Sequence, residues 1–585
     1  MNRKVIILGG LIILIVVSGI IIYLNMNEDN KLKTIVVEYD TNDENTTIPD
    51  EYTSITLANN NTKIDGTGAS EADNTVTIYN GGAYVIDGTL TNGNIIVEAS
   101  KSENVQLFLN EVDITCDDYS PISIAVADKT IITLIEGTTN TLTDGVDYSL
   151  KSGEDEPNAT LYSKDDLTIN GAGELVITAN YNNGITSKDD LKILNGNIKI
   201  TAVNHAIKGK DMVAIKGSNI EIKSSGDGIK STNTEDASLG YITIENSTIN
   251  IISNEDGIQA QTNLSLTNNT FDITTGGGSK ISSTSSSWGN NWGSGNANDQ
   301  DSSTSAKGLK ADNNIIIESG TYIIDSSDDS IHSNNKIQIT NGTFKISSGD
   351  DGIHADTALE ISGGTINILK SYEGLESTTI TINGGTFDIT ASDDGINAAG
   401  GDGSATGNRP GQGGFSGTVG EIFINGGSIE INAGGDGVDS NNIIEMDGGV
   451  LIINGPTTGG NSAIDADGGF TINGGTLIAA GTSDMAEMPG TSSNQNSLML
   501  NFTSNNSANT TFKLTNSSGT TIIEYAPTKS YQNIVVSSPK LNDGEYSIYL
   551  NNKLYDTVTI NSITTKQGSS SNGMTNPGGP GGNRR

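Results

Sequence analysis

The chain has 585 residues, with 70 Asp and Glu against 31 Lys and Arg, a formal charge of −39, 72 Gly and a single Cys. That charge excludes a surface built to hold a nucleic-acid backbone. The lone Cys116 excludes an intrachain disulfide framework and a paired-cysteine metal site.

In chain order, a four-residue stub (1–4) carries Arg3 and Lys4, and residues 5–24 form an uncharged, mostly apolar run. Twenty such residues suffice to span a bilayer. Positive charge on the N-terminal flank predicts an anchor with the bulk of the chain outside the cytoplasm. A cleaved signal sequence, leaving a secreted chain, is the alternative. Residues 25–50 read as a linker.

From 51 to 484 the sequence repeats. KIQITNGTFKISSGDDGIHA (336–355), ALEISGGTINILKSYEGLES (358–377) and TITINGGTFDITASDDGINA (379–398) each read strand, Asn/Ser-Gly turn, strand, acidic turn, short strand. Aligning the apolar residue after the acidic turn gives Ile185, Ile207, Ile229, Ile258, Leu309, Ile331, Ile353, Leu375, Ile396, Val438 and Ile464, most often 22 residues apart. Three strands and three turns fill that period. The pattern predicts an all-β, right-handed parallel β-helix, each coil stacked on the one before. Two longer steps coincide with glycine-rich low-complexity inserts at 276–306 and 399–418. Residues 485–561 lose the period and read as a small antiparallel β-sandwich-like module of six strands. Residues 562–585 read as a flexible tail.

Stacking brings equivalent side chains to about 4.8 Å from one another. In the acidic turns these are Asp227, Asp256, Asp328, Asp329, Asp350, Asp351, Asp393, Asp394 and Asp436. Unscreened carboxylates so spaced repel, and Ca2+ resolves this by taking six to eight hard oxygens in flexible geometry. Asx turns with solvated carboxylates are the alternative. Glycines such as Gly228, Gly257 and Gly352 suit the sharp bends. One residue past the aligned position lies a strip expected to face outward, running from Lys208, Lys230 and Lys310 through His332 and His354 to Glu376, Asp439 and Asp465. The three lysines are candidates to pair with the carboxylates of an acidic sugar chain. Trp288 and Trp292, in the first insert, are candidates for stacking on sugar rings.

AYVIDGTL, LIEGTTNTLTDG, SAKGLKA (305–311), the repeated NGGTxxI and DDGIxA coils, and AEMPGTSSNQNS (486–497) resemble a family of bacterial cell-surface carbohydrate-binding domain-containing proteins. The resemblance implies a right-handed β-helix, bound calcium, binding of cellulose and acidic sugars such as polygalacturonate, and distant structural similarity to pectate lyases. It carries calcium onto the paired aspartates of DDGI. The leading expectation is a non-catalytic extracellular polysaccharide binder. A calcium-dependent pectate-type lyase with Lys310 as base is the alternative, and a structural or adhesive stalk is a third.

Overall fold

A computed structural model describes residues 32–280, 305–398 and 420–568. The expected anchor at 5–24, most of both inserts, and Trp288 and Trp292 lie outside these residues. Among the described residues no helix is long and apolar enough to cross a membrane. The chain divides into two compact units, 1–36 and 37–585; all that follows lies in the second.

That unit is nearly all-β. One large mixed sheet contains most strands, and a separate four-stranded sheet lies near the C-terminus. Through most of the chain each strand pairs in parallel with the strand three further on. Asn197–Ala202 pairs with Asn219–Ser224, Ile207–Gly209 with Ile229–Ser231, and Met212–Lys216 with Tyr241–Glu245. Three parallel ladders result: a long-strand ladder, a short-strand ladder whose members begin at the aligned apolar residues, and a third between them. Three consecutive strands make one rung.

The long strands alternate strictly, as in Asn219–Ser224, where Ile220 and Ile222 are buried while Asn219, Glu221 and Lys223 are exposed. This is the period-two pattern of a half-buried strand. The inward side chains of all three ladders join one apolar cluster running from Ile55 to Val535. Each buried Ile contributes about 1.5–3 kcal/mol relative to exposure. Ring stacking reinforces the column where Phe271, Tyr322 and Phe344 succeed one another, at centroid separations of 5.5 and 4.7 Å.

Register survives the long steps. Ile258 pairs with Leu309 and Ile396 with Val438, so each excursion returns to the next rung without losing a place. The glycines of the acidic turns differ from expectation. Gly228 and Gly257 do not have positive φ; what they need is space. A Cβ at Gly228 would lie 2.5 Å from the carbonyl oxygen of Gly257 on the next rung.

At the first edge, Thr53–Ala58 pairs in parallel with Gly82–Leu90 and antiparallel with Lys63–Asp65. At the far end, Thr476–Gly481 pairs antiparallel with Tyr531–Ser537, which also pairs with Ser497–Asn506. The six strands expected within 485–561 are present, and a seventh, Thr564–Gln567, lies in the stretch read as a flexible tail and pairs in parallel with Ser497–Asn506. Four (Phe512–Asn516, Thr521–Tyr525, Gly544–Leu550 and Lys553–Ile560) form their own antiparallel sheet, while the other three, Thr564–Gln567 included, continue the large one. The module thus covers the last rung's open edge, which would otherwise offer unpaired backbone groups.

The stretch read as a linker carries structure. Thr41–Glu44 is one turn of helix with a capping box between Asp40 and Asp43. Asp43 is fully buried and meets Lys129 and Lys192, each at 3.0 Å, and the Thr168 hydroxyl at 2.7 Å. Lys216 lies over the Tyr39 ring, 4.8 Å from its centroid. Removing one partner of a buried ion pair leaves uncompensated charge, at a cost of about 3–5 kcal/mol. Asp43→Ala is therefore expected to raise amide hydrogen exchange in the strand Asp166–Asn170 by roughly a hundredfold, the rate corresponding to about 3 kcal/mol of local stability. Exchange unchanged from the parent would show that the segment does not clamp the ladder.

Candidate functional site

The turn leading into each short strand places one side chain per rung beside the next rung's backbone. Asp227 accepts from the Asp256 amide at 2.9 Å, Asp256 from Lys307 at 2.7 Å, Asp329 from Asp351 at 3.0 Å, Asp351 from Glu373 at 3.1 Å and Asp394 from Asp436 at 2.5 Å. The column extends N-terminally through His205, whose Nδ1 accepts from the Asp227 amide. These aspartates thus cap amides of the following rung. An Asx turn would instead bond within its own turn.

The strip one residue past the aligned position is a true column. Lys208 pairs with Lys230, Gln259 with Lys310, Lys310 with His332, His332 with His354, His354 with Glu376, Glu376 with Asn397, and Asn397 with Asp439. Its members, expected to face outward, are half-buried or buried, and Lys230, Lys310 and His332 lean onto aspartates of the turn column.

In the first half of the column the protein supplies its own cations. Lys230 lies 2.7 Å from Asp227, and Lys310 lies 3.6 Å from Asp256 and 3.3 Å from the Ser305 hydroxyl. Lys307 bridges Asp328 and Asp329 at 2.8 and 2.7 Å, and His332 Nδ1 meets Asp329 at 2.8 Å. Burial opposes charge on Asp329, yet His332 and Lys307 hold its carboxyl well below the usual range. Burial also raises the carboxyl of Asp256. His205 is pushed down to about 3 by burial and by Lys230 and Lys208. Lys208 is lowered by burial and by Lys230.

The second half is different. Asp350 is pushed up to about 7 by desolvation and by Asp351 and Asp329. Burial and Asp351 push Glu373 to about 9. Asp394 reaches about 7, Asp436 about 6 and Asp439 about 7, desolvation leading in each case and neighbouring carboxylates adding to it. Asp393 bonds the Tyr372 hydroxyl. Asn397 donates to Glu373 at 2.7 Å, while its Oδ1, buried in the same column, meets no donor. Carboxylates neighbour one another here, and no Lys or Arg pairs with Asp394, Asp436 or Asp439 among the described residues.

Of the residues singled out from sequence, then, Asp227, Asp256, Asp328 and Asp329 sit against protein cations or donors. Asp350, Asp351, Asp393, Asp394 and Asp436 lie in or beside the carboxylate-rich half. Lys230 and Lys310 are tied to aspartates; Lys208 has no ion-pair partner among the described residues.

The sequence reading missed a groove of about 450 Å³ on the outward face of the long-strand ladder, lined by Glu174, Asn197, Lys199, Asn219 and Glu221 among others. A second of about 420 Å³ shares Lys199 and Glu221 and extends to Lys223 and Asn250. Lys199 meets Glu174 at 2.8 Å, and Asn219 donates to Asn197 at 3.1 Å. The available signal was the polar half of the alternation in NIKITA and NIEIKS (197–202 and 219–224).

A family model described as "Carbohydrate-binding domain-containing protein" matches residues 72–352 and 350–395. A protein of the same description from Acetivibrio thermocellus is 40% identical over 215 residues, 37% of this chain and 74% of that protein. A solved structure described as "Structure of the polysaccharide lyase-like protein from C. thermocellum, Gadolinium derivative" is 38% identical, covering 39% of this chain and 92% of that one, with a TM-score of 0.38.

The raised carboxyls fix a sign. Asp394, Asp436 and Asp439 hold protons in the folded chain up to about pH 6–7, but in the unfolded chain only to about pH 4. The folded state therefore binds more protons in that window, and stability falls as pH rises through it. His205, depressed to about 3, works the other way below about pH 6.5. In EDTA the melting temperature is expected to fall between pH 6.5 and 8, and Asp394→Asn with Asp436→Asn to flatten that fall. A melting temperature that rises over this range would contradict the assignment.

Proposed function

The chain belongs to the family of carbohydrate-binding domain-containing proteins, and from that premise we propose that it binds a polysaccharide chain without cleaving it, along the groove on the long-strand ladder. The observation that carries this reading is the position of the groove: its lining residues, from Gly137 to Asn250, fall inside the segment matched by the family model. Its amides, hydroxyls and alternating charges suit sugar hydroxyls and uronate carboxylates. Lys230 and Lys310, already paired with buried aspartates, serve the stack. Cellulose and acidic sugars such as polygalacturonate are the ligands proposed. The three stacked ladders are read as a right-handed parallel β-helix lying outside the cytoplasm, tethered through residues 5–24.

Calcium is proposed for the carboxylate-rich half. The donor set fits: Asp393, Asp394, Asp436 and Asp439 with the unpartnered Asn397 Oδ1 offer carboxylate and amide oxygens, the ligands a hard cation takes. When bound, the ion neutralises carboxylates that otherwise repel. These side chains hold their rungs in register about it. An ion bound only by the folded state stabilises by mass action, about 2.7 kcal/mol at a hundredfold excess over Kd. Millimolar calcium is expected to raise the melting temperature at pH 8, and Asp394→Asn with Asp436→Asn to remove the increment. Equal melting with calcium and with EDTA would remove the ion from the account.

The lyase reading needs a base, and Lys310 is held by Asp256 and Ser305. Burial lowers Lys208 and Lys529 as a base requires, and of these Lys208 stands in the column. No unsaturated uronate, detected by ultraviolet absorbance, is expected from polygalacturonate with calcium; turnover lost in Lys208→Ala would instead establish a lyase. Removal of one hydrogen-bonding partner costs about 1 kcal/mol, and of a charged one up to about 3. Asn197→Ala, Lys199→Ala and Asn219→Ala together are expected to weaken polysaccharide binding by at least tenfold with the fold intact. Replacing Lys230 and Lys310 should lower stability first. Unchanged affinity in the groove variant would move the site elsewhere.

A further inference from the structure

Where the cationic and acidic halves of the column meet, His354 stands among carboxylates of three rungs. Its Nδ1 lies 3.5 Å from Asp351 Oδ2 on its own rung, 3.3 Å from Glu376 Oε2 on the next and 3.9 Å from Asp329 Oδ2 on the preceding one. One ligand atom from each of Asp351, His354 and Glu376 falls within 4.8 Å of the other two. Asp351 is 6% exposed, and the register fixes His354 directly opposite Glu376.

We propose that Asp351, His354 and Glu376 form a binding site for a divalent transition-metal ion of the zinc class, separate from the all-oxygen half of the column. It does not rest on the carbohydrate or the calcium reading. Tetrahedral zinc with ligands at about 2.0–2.1 Å has donor–donor edges of roughly 3.3–3.4 Å, close to the separations of His354 from Asp351 and Glu376 found here. The imidazole nitrogen sets the class of ion, since calcium and magnesium take oxygen ligands whereas imidazole with carboxylate suits zinc and its neighbours.

A second feature points the same way. His354 Nε2 faces Asp356 Oδ1 at 3.5 Å, and a metal-bound histidine characteristically offers its other ring nitrogen to a carboxylate that fixes its tautomer and orientation. The neighbouring His332 lacks this freedom. Its Nδ1 is bound to Asp329 at 2.8 Å and its Nε2 to Asn334 at 2.9 Å, while Lys307 takes the same Asp329 oxygen. Three protein ligands leave a fourth tetrahedral position for water. The ion would join two consecutive rungs at the point where the internal lysine pairs give out.

The experiment is a calorimetric titration of the full chain with ZnCl2 in millimolar calcium, repeated with Co2+, whose visible absorption reports four-coordinate geometry. One zinc per chain is expected to persist against calcium. His354→Gln should weaken that binding at least tenfold, His332→Ala should leave it intact, and Asp356→Asn should weaken it by about tenfold. Parental zinc affinity in folded His354→Gln, or displacement of zinc by equimolar calcium, overturns the site. Should His354→Gln fail to fold, the Asp356→Asn and His332→Ala pair decides by the same contrast.

Discussion

In-register parallel stacking sets every side chain about 4.8 Å from its equivalent on the next rung, so whatever occupies a position meets its own kind along the axis. For apolar positions this is cooperative: Ile207, Ile229 and Ile258 each extend one continuous core. For carboxylates it is costly, and the charge columns of this chain amount to a series of answers to that cost. His205, Lys230, Lys307 and Lys310 interrupt or pair with the acidic turns through the middle rungs. Further on, Glu373, Asp394 and Asp439 have no lysine or arginine partner among the described residues, and their affinities for protons are raised. The two metal proposals fall where the internal pairing stops.

Much of the ladder was legible in the sequence because period and burial coincide. The aligned apolar residues from Ile185 to Ile464 are all buried, and the strip beside them forms the paired column that the alignment places there. What the sequence could not convey was lean. Nothing in a one-dimensional alignment says that Lys230 turns three residues back onto Asp227, or that Lys310 reaches Asp256 on the preceding rung. A residue that alternation assigns to the outside can still be half-buried when the adjacent turn carries opposite charge. The role of Gly228 was misread for a similar reason: its constraint comes from a carbonyl on another rung, which local turn preferences do not contain.

The groove escaped notice because its residues are ordinary. Asn197, Lys199, Asn219 and Glu221 are the polar halves of alternating strands, and only their parallel register gathers them on one face. Acidic motifs draw attention in a sequence because they repeat, but in this chain repetition also serves amide capping from rung to rung. Separating the two uses required knowing which carboxylates already have partners.

The one-turn helix at Thr41–Glu44 has a mechanical consequence. Its Asp43 and Asp40 engage Lys129 and Lys192, and the Asp43 carbonyl accepts from Asn170, residues of three successive strands of one ladder, Lys129–Leu134, Asp166–Asn170 and Asp190–Leu194. A parallel stack peeled from one end surrenders its rungs singly, each with only its own hydrogen bonds to resist. A staple across three rungs changes the unit of failure, because tension entering from the N-terminal side meets charged contacts shared by all three before any one of them can part. The ladder is thereby reinforced across Lys129–Leu134, Asp166–Asn170 and Asp190–Leu194 as one block.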